Sequence, residues 1–257
     1  MTYSDITLTL VGGPTVLIEI AGMRLLTDPT FDPPGAYPEA AVPLEKISGP
    51  ALSPEEIGAP EAVLLSHDQH LDNLDRSGRA ILPVAGVTFT TQAGAARLGG
   101  NAVGLAPFET RMLEGRDGRR LFVTGAPARH GPVGIEPISG DVVGFLVGTE
   151  RPGDSIYVTG DTVWYAGTAE VARRHAPRLV ILFTGSAEPR GRFHVTMDSN
   201  DALEAAHAFP GADIIAVHNE GWRHFRESGD ELAAAFTTLG AGARLTILER
   251  GRPTRFG

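Results

Sequence analysis

The sequence predicts an α+β fold, with two β-sheets packed face to face and helices on the outside. Two observations lead there. Short apolar runs with strand-like alternation recur from end to end, broken by single helix-like segments. The two halves also share a rhythm: LLTDPT at 25–30 is answered by YVTGDT at 157–162. At 257 residues the chain can bury a substantial core, and one domain over 1–257 is expected.

The elements follow in order. ITLTLVGG, TVLIEIAG and MRLLTDPT read as an antiparallel meander with glycine turns. From Pro29 to Pro54 seven prolines make an irregular stretch, either a stiffened surface loop or a wall of an active site, with the second favoured. AVLLSH is a buried strand and NLDRSGRAIL a short helix. GVTFTT is a strand, and AGAARLGG a helix with a glycine stop. AVGLAPFETRML and RRLFVTGAPARH read as one strand each, and DVVGFLVGT with DSIYVTGD as a hairpin. The helix AEVARRHA leads to the strand RLVILFTG. DSNDALEAAHAF is a helix by its polar start and apolar spacing. ADIIAVH is a strand, DELAAAFTTLG a helix and RLTILERG the last strand.

Composition removes several function classes. A formal charge of −9 repels phosphate backbones, which argues against a nucleic-acid partner. There is no cysteine, so disulfides and thiolate chemistry are out, and a zinc site must use His, Asp or Glu. Lys46 is the sole lysine and no Gly-Lys-Ser/Thr occurs, which removes a P-loop. No Gly-x-Ser-x-Gly elbow is present, and Gly240-Ala241-Gly242 lacks the third glycine of a dinucleotide fingerprint. No apolar run is long enough to cross a membrane, and the opening residues lack a leader pattern, so a cytoplasmic protein without a membrane partner is expected.

Four strand-like runs end in a potential ligand. AVLLSH leads to His67, His70 and Asp72, VTGAPARH to His130, IYVTGD to Asp161, and IIAVH to His218. Two imidazoles three residues apart converge on one ion if the loop turns helically. Asp72, Asn73 or Asp75 could equally cap the following helix, and alone the two readings stand level. His130 before Gly-Pro reads alone as a turn residue, Asp161 as an Asx-turn or cap, and His218 as a strand-terminal polar group. Each such reading is ordinary; all of them together in one chain are not. Asp161 also suits a two-ion site, because a carboxylate bridges two cations through its two oxygens.

Carried by these residues, the chain resembles the metallo-β-lactamase superfamily of metal-dependent hydrolases. Within it, the chain is most similar to the branch of ascorbate-6-phosphate lactonase-like and phospholipase D-like members. TVLIEIAGMRLLTDPTFD resembles the opening strands and Asp-Pro turn, SHDQHLDNLD stands where the family has H-x-H-x-D-H, PARHGP resembles the third-ligand segment, VTGDT the bridging Asp, and AVHNEGWRHF the final His. FHVTMDSNDAL also resembles this branch. The implied fold is a four-layer αβ/βα sandwich. The implied metal ligands are His67, His70, Asp72, His130, Asp161 and His218.

The central signature departs from the family. With Gln69 looped out, His67 and His70 fill the two His places; without an insertion, Asp68 stands in for the first. The looped register is preferred because imidazole is the better zinc ligand. In both, Asn73 replaces the last His, so the second ion's site is weakened. The resemblance implies one or two divalent ions per chain, zinc first, with Mn²⁺ or Fe²⁺ as alternatives. It implies hydroxide formed on the metal attacking an ester, lactone, amide or phosphodiester of a small molecule, with Asp72 orienting the water or carrying protons. His194 is a candidate catalytic residue that hydrogen-bonds substrate, or a structural one. Trp222 and His224 are pocket walls or core, His175 sits at a helix C-terminus, and His207 lies within a helix. The branch also implies self-association into homo-oligomers. Three rivals stand beside hydrolysis: a non-catalytic ligand-binding or sensor protein on the same fold, a di-iron redox protein, and an RNA-processing nuclease.

Overall fold

The computed structural model describes residues 5–115 and 117–257. The first four residues of the expected domain, and part of the segment read as lacking a leader, lie outside them.

Strands β1 (Ile6–Gly12), β2 (Thr15–Ile20) and β3 (Met23–Thr27) form the expected antiparallel meander. The proline-rich stretch is not wholly irregular: β4 (Gly35–Tyr37) and β5 (Leu44–Lys46) pair as a small hairpin. Helix α1 (Pro54–Ile57) starts in a capping box between Ser53 and Glu56. Then come β6 (Ala62–Leu64), α2 (Arg76–Arg79), β7 (Val87–Thr91), α3 (Gln92–Leu98) and β8 (Ala102–Leu105). Here the sequence reading needs correction. AVGLAPFETRML is two strands, β8 and β9 (Thr110–Glu114), and they enter different sheets. The corner turns at Phe108, whose φ is 63° and whose amide donates to Gly125 O at 2.6 Å.

The second half contains β10 (Arg120–Pro127), α4 (Glu136–Ser139), β11 (Val143–Gly148), β12 (Ile156–Val158), α5 (Ala166–Arg174), β13 (Leu179–Phe183), α6 (Ser199–Ala208), β14 (Asp213–Val217), α7 (Gly229–Thr238) and β15 (Leu245–Ile247). RLTILERG is not the last strand. A further one, β16 (Thr254–Phe256), returns to the first sheet and pairs antiparallel with β1, Ile6 opposite Phe256.

The sheets run β16-β1-β2-β3-β6-β7-β8 and β15-β14-β13-β12-β11-β10-β9. Each joins an antiparallel meander to parallel strands, β3-β6-β7-β8 in the first and β12-β13-β14-β15 in the second. Leu8, Ile18, Leu25 and Leu64 of the first sheet share one core with Val123, Phe145, Ile181 and Ile215 of the second. The outer face of the second sheet packs Val180, Leu182 and Ile214 on Val171, Ala205 and Leu232 of α5, α6 and α7. On the outer face of the first, Leu26 and Val63 meet Ile57, Leu74 and Leu82. That makes four layers. It also explains why β13 is apolar throughout: Leu179, Ile181 and Phe183 face the sheet interface, while Val180 and Leu182 face the helices.

Strands β10, β12 and β14 run in one direction, β10 reaching it through antiparallel β11. Their carboxyl ends therefore open at one edge, the usual place for a site in such sheets.

Candidate metal centre

Beyond β6 the chain enters a buried loop. Leu65 N donates to Phe89 O at 2.9 Å, and Ser66 and His67 follow, both enclosed. The His70 carbonyl then accepts from the amides of Asn73 and Leu74, at 3.2 and 2.9 Å. That helical turn follows His70; between His67 and His70 the chain only bends, which still brings His70 Nδ1 to 2.8 Å from His67 Nε2. Gln69 projects to the cavity wall. Asp68 turns away to the Arg97 guanidinium, 2.9 Å from Nε. Of the two registers, the structure places His67, not Asp68, beside His70. Asp75 takes the capping role, accepting from Gly78 N at 2.8 Å at the start of α2.

His130, after β10, brings Nε2 to 3.1 Å from His70 Nδ1 and 3.5 Å from Asp161 Oδ2. The outer nitrogens fix the tautomers. Ser66 Oγ donates to Asp28 Oδ2 at 2.7 Å, so it accepts from His67 Nδ1 at 2.9 Å, and His67 Nε2 carries no proton. His130 Nδ1 donates to Val195 O at 2.7 Å, which bares its Nε2 as well. Burial and the neighbouring His70 push the His67 imidazole far below its ordinary pKa, and burial with His130 pushes His70 down to about 4. The Nε2 atoms of His67 and His130 thus both face His70 Nδ1.

A second cluster adjoins the first. His218, after β14, sits at φ 58°, a left-handed conformation that costs a non-glycine residue energy, and its amide donates to Gly13 O at 2.9 Å. Its Nε2 lies 3.3 Å from Asp161 Oδ1 and 3.8 Å from Asp72 Oδ2. Asp161 therefore belongs to both groups. Gly160 before it is required: φ is 62°, and a Cβ there would fall 2.7 Å from Ser66 Cβ. Burial alone would raise both carboxyls. The charges of His218 and His130 hold Asp161 well below the usual carboxylate range, and the His224 hydrogen bond with the His224 and His218 charges does so for Asp72. Burial opposes charge on His218, but Asp161 and Asp72 outweigh it and raise its pKa.

These residues fit divalent ions. His67, His70, His130 and Asp161 offer four ligand atoms within 4.8 Å of one another, and Asp72, Asp161 and His218 offer three. His218 Nδ1 and Nε2 and Asp161 Oδ1 are buried without a hydrogen-bond partner, an arrangement rare unless an ion or water meets such atoms. The first group is rich in nitrogen and the second in oxygen.

The structure also shows what the sequence reading missed. Asp28, read only as part of an Asp-Pro turn, is fully buried behind His67. Burial raises its pKa to about 7 despite hydrogen bonds from Ser66. Asn73 is buried too, and its Nδ2 faces Asp28 Oδ2 at 3.3 Å. His224 Nε2 lies 3.1 Å from Asp72 Oδ2. His194, a candidate catalytic residue, joins a separate group. Its Nε2 is 3.2 Å from Asp201 Oδ2 and its Nδ1 is 3.6 Å from Asp198 Oδ2. Asp198 caps α6, so the acids at that helix start draw the ring, and the Asp201 hydrogen bond raises its pKa. Only its neighbour Val195 lines the cavity.

That cavity, about 390 Å³, has His70, Asp72, His130, Asp161 and His224 on one side. Ala40, Val42 and Leu44 of the proline-rich stretch and Leu71 form an apolar wall, and Arg190 is the cation among its lining residues. A larger cleft of about 650 Å³, beside Phe89, Val103 and Met112, contains none of these donors. Among the described residues no helix is long and apolar enough to cross a membrane.

The chain is similar to several known proteins. The UPF0173 protein YddR of Bacillus subtilis is 24% identical over 260 residues, covering 97% of this chain and 99% of that protein. The isothiocyanate hydrolase from Delia radicum gut bacteria superposes with a TM-score of 0.81 at 25% identity, covering 97% of this chain and 99% of that one. A possible metal-dependent hydrolase from Veillonella parvula gives a TM-score of 0.83 at 21% identity, covering 96% and 98%. The model of the beta-lactamase superfamily domain matches residues 23–219. The chain belongs to that superfamily, the metallo-β-lactamase superfamily.

Proposed function

We propose that this protein is a metal-dependent hydrolase of small molecules with an electrophilic carbon and an apolar body. The observation that carries the proposal is the pair of donor clusters, joined through Asp161, opening onto a cavity with an apolar wall. The chemistry that divalent ions would supply there, when bound, is a lowered pKa for water and polarisation of the group under attack. His67, His70, His130 and Asp161 would hold one ion, and Asp72, Asp161 and His218 the other. Zinc suits the nitrogen-rich site, and Mn²⁺ or Fe²⁺ suits the oxygen-rich one as well. Asp72, at the cavity and kept ionised by His224 and His218, would orient water by accepting its hydrogen bonds. Ala40, Val42, Leu44 and Leu71 exclude water from the apolar part of the substrate.

Esters, lactones and isothiocyanates share this chemistry, and a neighbour of similar size and shape bears the name isothiocyanate hydrolase. A second reading, a phosphodiester or another anionic substrate, rests on Arg190. The test is metal content by mass spectrometry on protein purified without chelator or nickel resin, beside Asp161→Ala. A substrate panel follows: phenethyl isothiocyanate, a p-nitrophenyl ester, a γ-lactone and bis-p-nitrophenyl phosphate. Two ions lost in the variant, with turnover of a neutral substrate that tracks metal, is expected. Turnover of the phosphodiester alone would select the second reading. Tight small-molecule binding without turnover under any metal would leave a sensor on this fold.

A further inference from the structure

We infer that His224 sustains the second ion's site by holding the Asp72 carboxylate. The inference rests on the two-ion reading above. The second group offers three ligand atoms where the first offers four. Asn73 Nδ2 faces the Asp28 carboxylate, 3.3 Å away, while its Oδ1 is buried without a hydrogen-bond partner. With three ligand atoms, the second site depends on each, and Asp72 is a buried carboxylate lining the cavity that must stay aimed at the ion. His224 Nε2, 3.1 Å from Asp72 Oδ2, is closer than His218 Nε2 at 3.8 Å.

The His224 ring is itself held. It packs on Phe225 with centroids 4.5 Å apart and lies 6.2 Å from the Trp222 ring. Trp222 bridges to Lys46 of β5, and Arg223 N donates to Glu45 O at 3.0 Å. The segment thus adds to the small hairpin as a further strand-like edge, which presets where the imidazole points. A donor so fixed restrains the carboxylate rotamer as second partners of metal ligands commonly do. His224 is a positioning residue in this assignment.

The experiment titrates chelator-stripped protein with Zn²⁺ and with Mn²⁺ by calorimetry, reading stoichiometry and affinity for wild type, His224→Ala and His224→Gln. Circular dichroism confirms that each variant is folded. Wild type is expected to take two ions. His224→Ala should keep the first unchanged and bind the second about 10–100-fold more weakly. His224→Gln keeps an N–H donor and should stay within about threefold of wild type. An unchanged second affinity in His224→Ala overturns the role of His224 alone. So does a His224→Gln that falls as far as the alanine variant. A wild type that takes up no second ion overturns the two-ion reading and this inference with it.

Discussion

Ser66→Ala tests whether the hydrogen-bond relay behind His67 sets the metal site. The hydroxyl is buried, donates to Asp28 Oδ2 at 2.7 Å and accepts from His67 Nδ1 at 2.9 Å. Alanine removes both bonds and strands a buried imidazole N–H, which costs about 1–3 kcal/mol. Asp28 keeps the Ser66 amide at 2.6 Å, so the loss on that side is smaller. A total of about 2–4 kcal/mol would lower Tm by roughly 5–15 °C in a chain of this size. The more telling effect is on metal. With its tautomer no longer fixed, His67 should bind the first ion about 10–100-fold more weakly, or about 1.4–2.7 kcal/mol. Competition against a chromophoric chelator reads the affinity, and a thermal melt of the stripped protein reads stability. A melt that drops while affinity stays within about twofold would refute the relay, because packing against His70 and His130 would then suffice to orient His67.

Three further outcomes are expected. In stripped protein, His70 has a folded pKa of about 4 against an ordinary 6.5, so its contribution is complete above 6.5 and lost as pH falls toward 4, by about 3 kcal/mol. Asp28, raised to about 7, works in the opposite sense, since its folded form gains protons on acidification. Urea midpoints measured from pH 7 to pH 4 should therefore fall less steeply in His70→Asn and more steeply in Asp28→Asn than in wild type. Lys46→Met should cost about 3–5 kcal/mol by urea denaturation. It removes the ammonium 3.0 Å from Asp75, with both side chains buried, while Asp75 still accepts from Phe31 N, Asp32 N and Gly78 N. Asp68→Asn should leave metal affinity unchanged and cost under about 1 kcal/mol, because its partner Arg97 is 44% exposed and the pair is screened. A lost ion in that variant would restore the other register.

Much of the site was legible because its residues follow strands, and strands announce themselves by alternation or by unbroken apolar runs. His130, Asp161 and His218 are found by asking where β10, β12 and β14 end. What stayed hidden depends on long-range geometry. The split between β8 and β9 turns on a left-handed Phe108 and a bond to Gly125. Strand β16 is three residues after a proline and acquires its character only by pairing with β1. The hairpin β4–β5 is too short and proline-flanked to show a period. His224 sits near a recognisable segment, but its partner Asp72 is reached only through the fold. Asp28 could be located from its Asp-Pro turn, yet nothing local reveals the serine that connects it to a histidine.

His67 and His70 follow a strand of the first sheet, whereas His130, Asp161 and His218 follow strands of the second. An ion held by both sets is a reversible crosslink across the seam between the halves. Closing His70 onto His130, 60 residues away, is a loop closure whose length-dependent entropic cost is about 3–4 kcal/mol. Metal thus acts on the whole molecule: ions that bind the folded chain and not the unfolded one stabilise it by mass action. Withdrawal of metal would lower the stability of the whole fold through that linkage, the sheets staying joined by their shared apolar core, and resistance to proteases would follow metal supply.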